Sequence, residues 1–311
     1  VKRLIVILTG AMLLAAFGFA RMDPVPFSDA KRELRLALGL PKLWVRDFND
    51  KPAGYERLAC PGPEAMVIVT GGQSNAANAF SDPLLADPAA QALMMHDGHC
   101  YRLRDPVLGA TDHGGSLWTG LGSALWRATG RPVVFINGAV GGSQLGDWLD
   151  DRSRYRQRLM AEVAMAQQVG LVPDYVMWIQ GETDAAVLID PQLYVEQMRQ
   201  LVDRFDASGV FPADTPWIVF RSTRCKHRPG NGPEIDAAVT RWALHFPRIV
   251  LGPLASALGD DMRRDQCHFN GAGRAELIRE TLPIFAAEAA VRPAGARKAP
   301  AVAGATAPAP R

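Results

Sequence analysis

Ala65-Met66-Val67-Ile68-Val69-Thr70-Gly71-Gly72-Gln73-Ser74-Asn75-Ala76 is the stretch on which the fold turns. Ala65 to Val69 is an unbroken apolar run bounded by Gly and Pro, the pattern of a buried strand. Gly71 and Gly72 then allow a sharp turn and a close backbone approach. Ser74 follows at the C-terminal end of the strand, where open α/β sheets place their ligand sites. Its hydroxyl is a candidate nucleophile, weak until a base removes its proton. Taken alone, the stretch fits a Gly-rich turn with a helix-capping serine equally well, so the base and its partners must come from elsewhere in the chain.

Outward from this stretch the pattern is regular. Apolar β-type runs recur at Pro132 to Ile136, Tyr175 to Ile179, Trp217 to Phe220 and Ile249 to Leu251. Between and after them, Leu117 to Thr129, Arg154 to Val169, Leu193 to Phe205, Pro233 to His245 and Ala272 to Ala290 carry apolar residues at helical spacing. Strand alternating with helix predicts βαβ units and a mainly parallel sheet covered on both faces. The expectation is an α/β fold, a three-layer α/β/α sandwich with a flavodoxin-like five-stranded parallel sheet, over residues 64–290. Phe80 to Gly115 interrupts the rhythm and is expected as a long functional loop. Its His96-Asp97-Gly98-His99-Cys100 matches no known metal-ligand spacing, so no metal site is assigned.

The two ends read differently. Lys2-Arg3, the uncharged apolar run Leu4 to Ala20 and Arg21 form the pattern of a secretory signal or signal anchor, with Gly18-Phe19-Ala20 as a cleavage site. The run is short for a membrane span, which favours cleavage. Residues 21–63 are rich in Pro and charge and are expected to be an extended lead-in with one short helix at Asp29 to Leu38. Residues 291–311, almost all Ala, Pro, Gly and basic, are expected to be a disordered tail. Export gives the four cysteines a disulfide reading. Three pairings are possible. Cys60 with Cys100 and Cys225 with Cys267 is the expected one, because each pair would tie loops flanking the same end of the sheet. No CxxC occurs, which argues against a zinc ribbon. Across 311 residues the net charge is only +2, which gives no nucleic-acid surface.

The partners for Ser74 are found far downstream. Asp265-Gln266-Cys267-His268 follows the last strand and precedes the last helix, on the same sheet edge as Ser74. A carboxylate three residues before a histidine can hold its second ring nitrogen, fix the tautomer and stabilise the imidazolium. Two more strand ends reach this edge. Asn137-Gly138-Ala139-Val140-Gly141-Gly142-Ser143 offers glycine N–H groups to an oxyanion. Gln180-Gly181-Glu182-Thr183-Asp184 offers an amide and carboxylates.

Taken in order, Gly72-Gln73-Ser74-Asn75, Gly141-Gly142-Ser143 with Trp148 following, Gln180-Gly181-Glu182-Thr183-Asp184 and Asp265-x-x-His268 resemble the SGNH (GDSL-like) hydrolase superfamily. The nearest branch is the sialate O-acetylesterase and acetylxylan-esterase-like one, and the resemblance spans about Glu64 to Ala287. It implies Ser74 as nucleophile, His268 as general base and then acid, and Asp265 as the orienting carboxylate. The N–H groups of Ser74 and Gly142 would form part of the oxyanion hole. Where the wider superfamily has an asparagine donor in a GxND block, this chain has Gln180-Gly181-Glu182. The Gln180 amide is the expected third donor, since an ionised Glu182 accepts hydrogen bonds only. Gln73, Asn75, Gly141, Glu182 and Trp148 are expected to support the site or bind substrate.

The resemblance further implies a serine esterase acting on O-acetylated carbohydrate, without cofactor or metal. It would be periplasmic or extracellular, with a membrane contact only if the N-terminal segment stays uncleaved. An α/β-hydrolase elbow is disfavoured, because here Asp and His share one loop. A complete Ser, His and Asp set argues against a glycan-binding protein that has lost catalysis. An O-acyltransferase would use the same triad and stays open on sequence grounds. Trp118, Trp148 and Trp178 lie near the site loops, where they could stack on a sugar or fill the core. For Trp178, inside the strand end, the core is the expectation.

Overall fold

In the computed structural model, residues 47–225 and 230–291 are described. The proposed signal segment, the Asp29 to Leu38 helix and the Ala/Pro-rich tail lie outside them. The Ala65 to Val69 run forms the heart of β2 (Met66–Gly72), buried at every position. It is flanked on one side by β5 (Val133–Asn137) and on the other by β6 (Tyr175–Gly181), both parallel to it. The sheet continues through β7 (Trp217–Ser222) and β8 (Ile249–Leu251) at one side. On the other side come β3 (Ala92–His96), β4 (His99–Arg102) and β1 (Arg57–Leu58), giving the order β1-β4-β3-β5-β2-β6-β7-β8.

Alternation along the central strands sorts their side chains into two layers. Met66, Ile68, Phe135, Met177 and Ile218 pack with α1 (Trp118–Thr129) and α7 (Gly271–Val291), through Leu121, Leu125, Leu277 and Phe285. Val67, Val69, Val134, Val176 and Trp178 face the opposite way. They meet Leu159 and Val163 of α3 (Tyr155–Gln168), Met198, Leu201 and Phe205 of α5 (Pro191–Ala207), and Ile235 and Val239 of α6 (Gly232–Ala243). These are the five helices that the spacing predicts. Two short ones join them at strand ends, α2 (Leu145–Leu149) and α4 (Glu182–Ala186).

The five-stranded parallel sheet is corrected to eight strands, six of them parallel. The difference lies in Phe80 to Gly115, expected as a loop. Ala92 to Met95 is a buried apolar run that adds β3 parallel to β5, and β4 returns antiparallel. Asp97 and Gly98 connect them with φ of 49° and 75°. Two successive left-handed residues are what a tight hairpin turn demands, and Asp-Gly is among the dipeptides that adopt it most readily. The described part of the lead-in lies along this edge. Its β1 pairs with β4, and Asn49 exchanges backbone hydrogen bonds with Gly109 and Ala110.

Both expected disulfides form. Cys60–Cys100 fastens the segment after β1 to β4. Cys225–Cys267 fastens the segment after β7 to the loop that carries His268. Only the second lies against the site loops, so the two bonds secure different regions of the sheet. Among the described residues no helix is long and apolar enough to cross a membrane.

Candidate active site

The turn after β2 depends on two close approaches. A Cβ on Gly71 would stand 2.4 Å from the Trp178 ring, and one on Gly72 would stand 2.0 Å from the Ile179 carbonyl oxygen. Gly72 also has φ of 121°, a conformation open to glycine but not to L side chains. The chain then enters one 3-10 turn, Ser74–Ala76, which presents Ser74 at the strand end, 8% exposed.

The second contributor is the segment between β8 and α7. An antiparallel bridge between Arg263 and Phe269 closes it into a short loop. Inside it, Asp265 Oδ1 accepts the N–H groups of Cys267 (3.1 Å) and His268 (2.7 Å), a local Asx-type turn. Gln266 takes up the left-handed conformation, φ 63°, that the reversal requires. Asp265 Oδ2 lies 2.8 Å from His268 Nδ1, and His268 Nε2 lies 3.0 Å from Ser74 Oγ. Hydroxyl, imidazole and carboxylate therefore form one continuous line across 194 residues of sequence separation. Burial by itself raises the Asp265 carboxyl, but the ring and backbone N–H groups of His268 outweigh it, and its pKa ends below the usual value. Such a carboxylate stays ionised and holds Nδ1–H, leaving Nε2 free to accept the serine proton.

The loop is held from beneath. Arg263 is 5% exposed, donates to the carbonyls of Cys267, Ala255 and Leu258, and stacks its guanidinium 4.2 Å from the Phe269 ring centroid. Asn75 Nδ2 donates to Glu182 Oε1 (2.7 Å) and to the Cys267 carbonyl (3.3 Å), while its Oδ1 accepts the Phe269 N–H (3.4 Å). Ser222 Oγ donates to the same Glu182 oxygen at 2.7 Å. Burial raises the Glu182 pKa, and the Asn75 and Ser222 bonds offset part of the rise. Asn75 and Glu182 thus brace the histidine loop from its buried side.

The third contributor is the loop after β5. Val140 N–H donates to the Gly72 carbonyl at 3.0 Å, which seats this loop beside the serine turn. Gly141 N–H is taken by Thr111 Oγ1 at 2.7 Å. Gly142, with φ of 64°, is exposed, and its N–H and that of Ser74 donate to no acceptor among the described residues. These two N–H groups, one in the serine turn and one in the loop seated on it, are left free to donate to a ligand.

Two expectations are corrected here. Gln180 faces away from the site. Its Nε2 donates to Asp184 and to the Ser143 carbonyl, and its Oε1 accepts the Tyr194 hydroxyl at 2.7 Å. Both amide hydrogens are spent inside the core, so Gln180 has none for an oxyanion. Trp148 is fully buried, edge-on to Trp178 at 4.9 Å, and donates to Ser143 Oγ at 3.1 Å. It shapes the Gly142 loop and cannot stack on a sugar. Trp118 and Trp178 are likewise fully buried.

A family model described as carbohydrate esterase, sialic acid-specific acetylesterase, matches residues 65–282. The chain belongs to this family. As a member of this carbohydrate esterase family it is a carboxylic ester hydrolase. The fold is similar to that of a protein from Arabidopsis thaliana, with TM-score 0.61 and 16% identity over 72% of this chain and 98% of that one. It is also similar to that of NanS, with TM-score 0.53 and 15% identity over 75% of this chain and 100% of that one. At such identities the likeness concerns the fold, which is that of the SGNH hydrolases. A comparison with curated proteins returned no significant match.

Some residues of the candidate site escape a reading of the sequence. Ser222, which bonds Glu182, ends β7 on the same sheet edge, and that position is a usable signal. Thr111, which holds Gly141, sits within the supposed insertion, and Arg263 lies just before the Asp-x-x-His block with nothing in its spacing to single it out.

Proposed function

We propose that this esterase removes O-acetyl groups from a carbohydrate outside the cytoplasm, through an acyl-enzyme on Ser74. The observation that carries the reading is the continuous contact from Ser74 Oγ to His268 to Asp265, at 3.0 and 2.8 Å. His268 Nε2 takes the serine proton as Oγ attacks the ester carbonyl carbon. The carbonyl electron pair moves onto oxygen, where the N–H groups of Ser74 and Gly142 face it. Each such donor is worth roughly 3–4 kcal/mol when removed. The C–O bond to the sugar then breaks, and the sugar oxygen leaves with the proton from His268. Water repeats the sequence on the acyl-serine and releases acetate. Glu182 and Asn75 take no proton in this scheme, and their part is to hold the loop.

The acetylated sugar is supported by the family description, and the small acyl group by the same source. Two disulfides support export, since oxidising compartments maintain them. We place the protein in a periplasm or outside the cell on that basis. The test is hydrolysis of a chromogenic acetate beside a longer acyl ester, with Ser74→Ala as control. Acetate is preferred, and Ser74→Ala abolishes both turnover and stoichiometric labelling by a serine-directed phosphonate. Full turnover by the variant would remove the reading.

A further inference from the structure

Thr111-Asp112-His113-Gly114-Gly115 runs along the catalytic edge, seated on the loops that build the site. Thr111 N–H donates to the Ala139 carbonyl at 3.1 Å, and Thr111 Oγ1 accepts the Gly141 N–H at 2.7 Å, which fixes one end on the loop after β5. The Thr111 carbonyl accepts the Asn78 N–H at 3.1 Å, and Gly114 N–H donates to the Asn78 carbonyl at 2.8 Å. Those bonds tie the segment to the chain leaving the serine turn. Between these anchors Asp112 and His113 are exposed. His113 Nε2 lies 2.9 Å from an Asp47 carboxylate oxygen in the lead-in. Asp112 takes the left-handed conformation, φ 67°, which aspartate tolerates better than most L residues. Its Oδ2 accepts the Thr111 hydroxyl at 3.2 Å, and a Cβ on Gly141 would stand 2.7 Å from the same oxygen. The carboxylate therefore lies against Gly141, the residue before the unpaired Gly142 N–H. Its Oδ1 meets no donor among the described residues. One oxygen is anchored and the other is open, which makes an oriented, charged acceptor at the rim of the site.

We propose that Asp112 is a specificity-determining residue of this esterase: its carboxylate accepts a hydrogen bond from a free hydroxyl of the sugar, next to the ester being cleaved. The inference rests on the reading of Ser74 as nucleophile and of an acetylated sugar as substrate. Trp118, Trp148 and Trp178 are buried, so none of the three stacks on a sugar and discrimination falls to polar groups of the rim. An acetyl carbonyl bonded to the Gly142 N–H leaves only the ester oxygen and two ring carbons before the neighbouring hydroxyl, a span that Gly141 covers. Gly141 has no side chain to screen Asp112 from that hydroxyl. The Thr111 hydroxyl gives its hydrogen to Asp112 and a lone pair to Gly141, so the acceptor and the loop beneath it are fixed by the same group. A sugar presents hydroxyl donors to such a carboxylate, and an alkylated sugar presents none.

The test takes the best-hydrolysed member of a panel of mono-O-acetyl methyl glycosides and the same ester with its remaining hydroxyls O-methylated. The readout is the ratio of the two kcat/KM values. Asp112→Gly keeps the left-handed backbone and removes the acceptor. Asp112→Asn also suits that backbone and keeps an oxygen for Thr111, but carries no charge. The wild type favours the free-hydroxyl ester. Asp112→Gly lowers that preference roughly 10–100-fold, the worth of a hydrogen bond to a charged group, and Asp112→Asn lowers it by a smaller factor. An equal fall on both esters leaves the ratio where it was and would show that Asp112 only seats the Gly141 loop. That result, or a wild type without preference for the free-hydroxyl ester, overturns the proposal. If Ser74→Ala is inactive while a folded Asp112→Gly variant keeps the wild-type ratio, the specificity assignment fails and the nucleophile stands. If Ser74→Ala turns over both esters, both readings fail.

Discussion

Folded Asp184 gives up its proton at a higher pH than the unfolded chain does, and stability should depend on pH accordingly. The residue is fully buried, accepts the Leu145 N–H at 3.2 Å on each oxygen, and accepts a bond from Gln180 Nε2. Burial raises its pKa, the Gln180 and Leu145 bonds lower it, and the nearby charge of Glu182 raises it again, leaving it pushed up from 3.8 to about 7. Well below the unfolded value both states hold the proton. Between 3.8 and about 7 the folded state binds it and the unfolded state does not, so stability falls as pH rises. Above that window both have lost it and the cost is complete. Going from about pH 5.5 to about pH 8, this one group removes about 2 kcal/mol. Asp184→Asn cannot titrate. It also loses an acceptor for Gln180 or Leu145, but that loss is the same at both pH values and cancels in the comparison. Urea unfolding of both proteins at the two pH values gives the double difference directly. Wild type should lose about 2 kcal/mol more than Asp184→Asn over this range. An equal fall in the two proteins would show that Asp184 titrates alike folded and unfolded, and the burial argument would be wrong.

Asn75→Ala withdraws one of the two side-chain donors to Glu182 and both contacts to the histidine loop, at a cost of about 1–3 kcal/mol in urea unfolding. Its kcat should fall by roughly 10–100-fold as His268 loses its fixed position, and an unchanged kcat would mean that the loop holds itself. The Cys225–Cys267 bond closes a segment with a sequence separation of 42, which the chain-entropy relation values at about 4 kcal/mol. The Cys225→Ser, Cys267→Ser double variant should lose stability of that order together with turnover, because Cys267 adjoins His268.

Much of this architecture is legible in the sequence because it rests on local pattern. The β2 run, the five long helices and both cystines come from periodicity, apolar content and cysteine position. The triad is legible for a further reason. In a parallel sheet every strand delivers its C-terminal end to one edge, so residues that come after two different strands are brought near each other by topology alone. The β3–β4 hairpin escapes for a reason that is physical too. Its strands are four or five residues long and lie in a segment otherwise full of Gly, Asp and Pro, so the Asp97-Gly98 turn, though visible, has little periodic context on either side.

The amides are the part that sequence could not assign, and their case shows where pattern stops being informative. Gln73 and Gln180 have the same functional group, and both stand at strand ends on the catalytic edge. What separates them is which end of each amide is already bonded. Tyr194, fourteen residues beyond Gln180, accounts for the Gln180 oxygen, and Asp184, four residues beyond, takes one of its hydrogens. The corresponding partners of Gln73 are backbone N–H groups 108 and 110 residues away, and they engage its oxygen only. A backbone N–H leaves no trace in residue identity, since every residue but proline has one. The availability of a donor is therefore decided by long-range pairing with groups that the sequence does not distinguish. For this reason the Ser74, His268 and Asp265 contact can be placed by motif, while which amide hydrogens stay free is learned only by accounting for each partner in turn.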